Sequence, residues 1–344
     1  MKAVETDIYE KKRSVLHEQI PLDTPYAFSI EPSSCCNLRC NYCAHSLGKQ
    51  RMEENHHVFA NMSDEIFELV VKQLKEFPHP VRAITFGGMG EPTLHKKLPE
   101  MVRSVNENHV ADRIHLITNG TLLTHELSRG LVEAGLDTMK ISLQGLSDAA
   151  YEKNCGVRIQ FDRLYEEIRF LYENRGKLRL GIKVPNTCLE PGEEEKFYQL
   201  FGDYCDEISV EKIIPIFPGV DYSKVIKGEI PLSRFALERT ERRRVCSLVF
   251  YRMSVYATGK VVACCTHTGL STDNMDVTKQ SLSEIWNGKE RRTMMMNNLR
   301  GIYEGITARC KNCKMRDDTA YEEDMLDDYA KELYEKLAKI QEES

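Results

Sequence analysis

No run of about eighteen apolar residues, the length a bilayer-spanning helix needs, occurs in this chain, so no membrane span is expected. Residues 1–10 are charged and have no apolar core, which excludes a secretory signal. Positive charge is not in excess: 47 lysines and arginines against 53 acidic residues leave a net charge of −6, with a pI near 6.0. That balance gives no global attraction to nucleic acid or to an anionic membrane, and neither is expected as a partner. No internal repeat or low-complexity tract is visible. Without an export signal, the twelve cysteines do not read as a disulfide framework. They fall into groups, as metal ligands do, and reduced thiols point to the cytoplasm.

What is present suffices for a full-size core. A chain of 344 residues, 41% apolar and 29% charged, has an ordinary globular composition. Its length suggests about two domains. Residues 1–25 read as a polar lead-in. Strands are then expected at 26–31, 82–86, 113–118, 138–143, 177–184 and 207–216, with helices between them. The first long helix starts at a Ser63-Asp64 cap and carries Leu69, Val70, Leu74 and Phe77 at helical spacing. Six β/α units imply an α/β fold with a parallel sheet and right-handed crossovers. The polar and glycine-rich loops fall at the strands' C-terminal ends, where barrel enzymes place catalytic loops. Periodicity alone does not separate a barrel from an open doubly wound sheet.

The strands have a polar face. Lys140, Ser142 and Gln144 alternate with Met139, Ile141 and Leu143, and His115 and Asn119 share a parity. Ser29 and Glu31, Lys183, and Ser209 and Glu211 oppose apolar neighbours in the same way. Burying that many polar groups without partners would cost roughly 1–3 kcal/mol each. The pattern therefore predicts a polar cavity, and Glu31, Lys183 and Glu211 are candidate general bases inside it.

Cys36-Asn37-Leu38-Arg39-Cys40-Asn41-Tyr42-Cys43 holds three thiols at spacing C-x3-C-x2-C. A structural zinc site takes four ligands, usually from C-x2-C pairs. Three clustered cysteines with no fourth nearby suit a four-iron cluster with one open iron. A zinc-binding interaction protein is the non-enzyme alternative. The spacing, and the aromatic before the last cysteine, resemble the radical S-adenosylmethionine (radical SAM) enzymes. That resemblance implies a partial (β/α)6 TIM barrel core over residues 26–217. It implies SAM bound at the open iron, and a 5′-deoxyadenosyl radical that abstracts hydrogen from substrate. It also implies an external electron donor, flavodoxin or ferredoxin.

Carried over residue by residue, Gly87-Gly88-Met89-Gly90-Glu91 matches the family's turn for the methionine ammonium. Tyr42 would lie against adenine. Asn119, Ser142, Gln144, Lys183 and Asn186 stand at strand ends where the family contacts SAM. Further on, Cys246, Gly259 and Cys264 are spaced C-x12-G-x4-C, followed by Cys310 and Cys313 as C-x2-C. With the Leu282–Gly288 segment between them, they resemble the twitch and SPASM extensions of the family. This implies an auxiliary 4Fe-4S cluster in a small C-terminal domain, a β-hairpin plus helix over 246–318, reached by a linker at 218–245. Cys265 is a rival to Cys264. Residues 319–344 read as a terminal amphipathic helix carrying Leu326, Tyr329, Leu333 and Leu337. Basic residues 242–244 are a candidate phosphate contact.

Four thiolates saturate a four-iron cluster, so electron transfer is its expected duty. The expected reaction is dehydrogenation of an alcohol carbon on a small polar substrate: a sugar, aminocyclitol or nucleotide-sugar. Cys155, beyond the fourth strand, is the candidate hydrogen donor if the outcome is epimerisation instead. Peptide maturation is the third enzymatic reading. Only about 25 residues precede the first expected strand, too few for a peptide-recognition domain.

Overall fold

A computed structural model describes residues 1–5, 13–231, 233, 243–264, 271–318 and 321–343. Among the described residues, nine strands form one sheet in the order β1-β7-β6-β5-β4-β3-β2-β8-β9. They are β1 (Val4–Glu5), β2 (Ala27–Ile30), β3 (Ala83–Phe86), β4 (Ile114–Thr118), β5 (Thr138–Ser142), β6 (Arg179–Pro185), β7 (Glu207–Glu211), β8 (Arg252–Val255) and β9 (Val261–Val262). From β2 to β7 each strand pairs in parallel with the next in sequence. The order never reverses, so the sheet is singly wound as in a barrel, and a doubly wound arrangement is ruled out. Its ends do not pair with each other, which fits a partial barrel.

The helices between strands follow from local chemistry. Ser63 accepts from the Ile66 N–H and starts α1 (Asp64–Leu74), whose Phe67, Val70, Val71 and Leu74 are buried. Then come α2 (Leu98–Glu107), α3 (His125–Glu133), α4 (Asp148–Cys155), α5 (Phe161–Asn174) and α6 (Glu193–Phe201). Thr124 and Ser147 cap α3 and α4 in the same way. On β5, Met139 and Ile141 are fully buried beneath these helices, while Lys140 and Ser142 on the other face stay partly open. The alternation read from the sequence is thus the inside and outside of the barrel wall.

Three details go beyond the sequence reading. Within the polar lead-in, β1 pairs with β7 at the sheet's edge, and Leu16 and Ile20 are 1% exposed. The last core strand stops at Glu211, short of the expected 216, and residues 213–217 turn to line the cavity; Pro215, lacking an N–H, cannot continue a ladder. The C-terminal hairpin adjoins the core sheet. Its first strand, β8, pairs in parallel with β2 in register Ser29↔Ser254 and Ile30↔Val255. Beyond it, α7 (Leu282–Asn287) begins with a Ser281–Glu284 capping box. Next, α8 (Lys289–Arg300) packs on the terminal helix α9 (Ala330–Glu343). In that last segment Leu326, Leu333 and Leu337 are buried, as expected, whereas Tyr329 is exposed and stacks on His17. Trp286 donates to the Leu22 carbonyl at 2.8 Å, which ties the C-terminal helices to the lead-in. Of the basic segment, residue 242 lies outside the described residues; Arg243 and Arg244 donate from their backbones to Asp317 and Asp327. No described helix is long and apolar enough to cross a membrane.

Candidate active site

The cysteine loop leaves the C-terminal end of β2. Cys36, Cys40 and Cys43 are half-buried. Burial pushes the Cys36 and Cys43 thiols up to about 12. Contact with the Cys155 thiol, and then burial, raises Cys40. Such thiols do not ionise unaided near neutral pH; a bound cationic centre would ionise them. Among the described residues, no three His, Cys, Asp or Glu side chains close around a point as a single ion would require. Three half-buried thiols that need a positive centre to ionise fit an iron–sulfur cluster with one open corner.

The loop is held from below by its neighbours. Arg39 and Asn41 donate their N–H groups to the carbonyls of Cys155 and Asn154. The Tyr42 hydroxyl donates to Gln144 Oε1 at 2.7 Å, and its carbonyl accepts from the Tyr222 hydroxyl at 3.0 Å. Asn37 bonds to Asn119 at 2.9 Å and to Thr121 at 2.8 Å. Residues 46–61 contain a short helix, Lys49–Glu54, and close back on the loop. The His57 ring meets the Ser34 carbonyl at 3.0 Å, and the His45 ring meets the Met89 carbonyl at 3.0 Å.

The glycine turn after β3 is seated against this loop. A Cβ on Gly90 would lie 2.1 Å from the Ser33 carbonyl oxygen and 2.5 Å from that of Cys35. One on Gly88 would lie 2.6 Å from Glu31 Oε1. The glycines therefore admit the protein's own backbone and a carboxylate, a demand the sequence alone did not reveal. Because Gly90 meets backbone on several atoms, Gly90→Ala has to displace the cysteine loop. The expected outcome is a tenfold or greater weakening of SAM binding, about 1.4 kcal/mol, with iron lost in parallel. Equilibrium dialysis with labelled SAM, beside an iron assay, checks it.

The expected site residues divide into two groups. Tyr42, Ser142, Lys183 and Glu211 line one cavity, together with Pro185, Ile213, Ile214, Ile216 and Phe217. Inside it Lys183 Nζ pairs with Glu211 Oε2 at 2.8 Å. The other group is engaged in internal ties. The Glu91 carboxylate accepts from Thr93, Thr118 and the Asn119 N–H at 2.6–3.0 Å. Asn119 Oδ1 accepts twice from Thr121, and Gln144 holds Tyr42. Glu31 is 3% exposed and accepts from the Met89 N–H. Burial pushes its carboxyl up to about 7 despite that bond. It does not line the cavity, which weakens its candidacy as a base. Asn186 is exposed at the end of β6. Cys155 is fully buried, its sulfur 3.6 Å from that of Cys40, so its thiol faces the cluster loop.

One feature escaped the sequence reading. The cavity's apolar wall comes from residues 213–217, whose Ile-Ile-Pro-Ile-Phe run was the available signal. On the polar face that the sequence marks, burial, and then Lys183, lower the Lys140 ammonium to about 8.

The second cysteine set gathers from separate elements. Cys246 donates its N–H to Asn298 on α8 at 2.8 Å. Cys264 follows β9, and its carbonyl accepts from Ser254 at 2.9 Å. The Cys313 N–H donates to the Cys310 carbonyl. Burial raises Cys246 first, and Cys313, Cys264 and Cys310 are each near enough to add to it. Cys310 is pushed up to about 12 by burial, with Cys264 and Cys313 next. Four half-buried thiols close enough to influence one another suit a saturated cluster. Cys265 lies outside the described residues.

Cysteine ligands on a loop at the C-terminal edge of a singly wound parallel sheet, with a glycine turn seated on them, define an iron–sulfur barrel enzyme. Two family models agree. One, described as the radical SAM superfamily, matches residues 30–195. The other, described as the iron–sulfur cluster-binding SPASM domain, matches residues 246–314. The chain belongs to the radical SAM superfamily and carries a C-terminal SPASM domain. S-adenosylmethionine and iron–sulfur clusters are its cofactors, and the zinc-binding alternative falls away.

A Pyrococcus furiosus protein described as a "tungsten-containing aldehyde ferredoxin oxidoreductase cofactor-modifying protein" is 26% identical over 84% of this chain and 87% of its own length. A probable GTP 3′,8-cyclase of Methanococcus vannielii is 37% identical over 58% of this chain, which spans only 62% of that protein. Among solved structures, Streptococcus suis SuiB bound to S-adenosylmethionine aligns with a TM-score of 0.62 at 15% identity, covering 88% of this chain and 74% of that one. BtrN in complex with AdoMet and 2-DOIA aligns at 0.54 and 19% identity, over 84% and 92%. At these identities the structural likenesses establish the fold.

Proposed function

We propose that this radical SAM enzyme oxidises an alcohol carbon of a small polar molecule. The observation carrying this reading is the gathering of four half-buried thiols next to a hairpin that extends the core's own sheet beside β2. Cys36, Cys40 and Cys43 would hold the SAM-binding cluster, and Cys246, Cys264, Cys310 and Cys313 the auxiliary one. When bound, these groups would supply a 5′-deoxyadenosyl hydrogen acceptor and a one-electron sink. The chain's side chains do the rest. Tyr42 walls the cavity where SAM and substrate meet. Ser142 offers a hydroxyl to a polar ligand. The Lys183–Glu211 pair sits where a substrate hydroxyl would enter, and Glu211 is the group to take its proton. The apolar wall at residues 213–217 keeps water from the reacting carbon.

The name of the Pyrococcus relative supports a small-molecule substrate. A flavodoxin or ferredoxin in the cytoplasm is the proposed source of reducing electrons. A second reading, modification of a peptide side chain, draws on the fold shared with SuiB, which has also been solved with its precursor peptide at a TM-score of 0.52.

The test is isotopic. Reduced enzyme with SAM and pooled alcohols deuterated at the carbinol carbon should yield deuterated 5′-deoxyadenosine and the ketone. Deuterium transfer from peptides alone would establish the second reading instead. Recovery of substrate with its carbon inverted and its deuterium replaced by hydrogen from water would make the enzyme an epimerase.

A further inference from the structure

One residue of the glycine turn is gripped from both sides. The Met89 N–H donates to Glu31 Oε1 at 2.8 Å, and the Met89 carbonyl lies 3.0 Å from His45 Nε2. Because a carbonyl only accepts, that ring nitrogen is the donor. Both side chains are buried, at 3% and 7% exposure. Glu31 comes from the end of β2 and His45 from just past the cysteine loop, so the grip joins elements that meet nowhere else in sequence. Gly88 makes it possible, since any Cβ there would collide with the Glu31 carboxylate.

Glu31 reaches the C-terminal hairpin as well. Its own N–H donates to the Val255 carbonyl at 3.0 Å, and its second carboxylate oxygen lies 3.5 Å from the Ala257 N–H.

We propose that Glu31 and His45 are positioning residues that clamp the two peptide groups flanking Met89, pre-ordering the glycine turn for SAM and linking it through Glu31 to the auxiliary hairpin. A turn with three glycines in four residues is costly to order, because glycine loses more conformational freedom than any other residue. Affinity for any ligand seated on it suffers unless that ordering is complete beforehand. A clamp on the peptide between the glycines achieves this without touching the ligand. The link to the hairpin adds a second consequence. If SAM steadies the turn, it also steadies the hairpin, and by reciprocity a loosened hairpin weakens SAM. The proposal rests on membership of the radical SAM superfamily and is independent of which substrate is oxidised.

The test compares Glu31→Leu with Glu31→Gln, and His45→Leu with His45→Gln, in reconstituted protein. Glutamine can still accept from the Met89 N–H at position 31 and donate to its carbonyl at position 45. Iron per chain, the SAM dissociation constant by equilibrium dialysis, and hydrogen exchange over residues 86–92 and 253–264 are measured. The leucine variants should keep their iron, bind SAM about tenfold or more weakly, and exchange faster at the turn. The glutamine variants should stay within about threefold of the parent. SAM should slow exchange in the hairpin of the parent and not in Glu31→Leu. Leucine variants that bind SAM like the parent while retaining iron would overturn the clamp. Unchanged hairpin exchange in the parent on SAM addition would overturn the link. If Glu31→Leu fails to fold, the His45 pair decides the clamp and Glu31→Gln, which should weaken the hairpin response, decides the link.

Discussion

Cys40→Ala should lower 5′-deoxyadenosine formation by about three orders of magnitude, equivalent to about 4 kcal/mol in barrier. Of the three loop thiols, Cys40 is the one with the Cys155 thiol against it, and its loss removes a ligand from the cluster with the open corner. The neighbourhood offers one possible substitute, because the Cys155 sulfur lies 3.6 Å away. The expected iron content of the single variant is therefore between about four and eight atoms per chain, while Cys40→Ala with Cys155→Ala should hold about four. Cys155→Ala alone should keep both 5′-deoxyadenosine and product within about threefold, since a fully buried thiol against the loop serves packing. Loss of an epimerised product with 5′-deoxyadenosine intact would instead make Cys155 the hydrogen donor. Undiminished SAM cleavage by the double variant would sink the assignment of the loop.

The sequence was legible where chemistry is local. The six core strands announce themselves because each alternates between a helix-covered face and a polar lumen, as Met139 and Ile141 do against Lys140 and Ser142. The loop spacing and the Gly-Gly-Met-Gly turn were readable for the same reason. What stayed hidden depends on partners distant in sequence. Val4–Glu5 is too short to show any period, and it becomes a strand only because β7 has a free edge. The pairing of β8 with β2 joins residues more than two hundred apart, and nothing in either strand names the other. Glu91, Asn119 and Gln144 were expected as SAM contacts because they are polar residues at strand ends. In the structure each also holds the loops together, and a strand-end polar residue carries no local mark to reveal that duty. His45 and His57 sat in a stretch rich in charge, yet both are buried on backbone carbonyls of the loop and the turn.

Cys310→Ala should separate the two halves of the reaction. Cys310 belongs to the C-terminal set and touches neither the cavity nor the cysteine loop, so SAM cleavage should stay within about threefold of the parent while iron falls from about eight atoms to about four. Oxidised product should fall about a hundredfold, close to 2.7 kcal/mol. Hydrogen abstraction leaves a substrate radical that must give up one electron and one proton to become the ketone. In the variant the proton can still leave to Glu211, but the electron has nowhere to go, and the radical must recover a hydrogen atom. Return from 5′-deoxyadenosine regenerates substrate without solvent deuterium; quenching by a thiol in exchange with water brings deuterium in. The buried position of Cys155 favours the first route, so turnover in heavy water should give abundant 5′-deoxyadenosine, little ketone, and recovered substrate free of solvent deuterium. Full ketone yield from Cys310→Ala would remove the electron-sink role from the four thiols, and with it the main support for an oxidation.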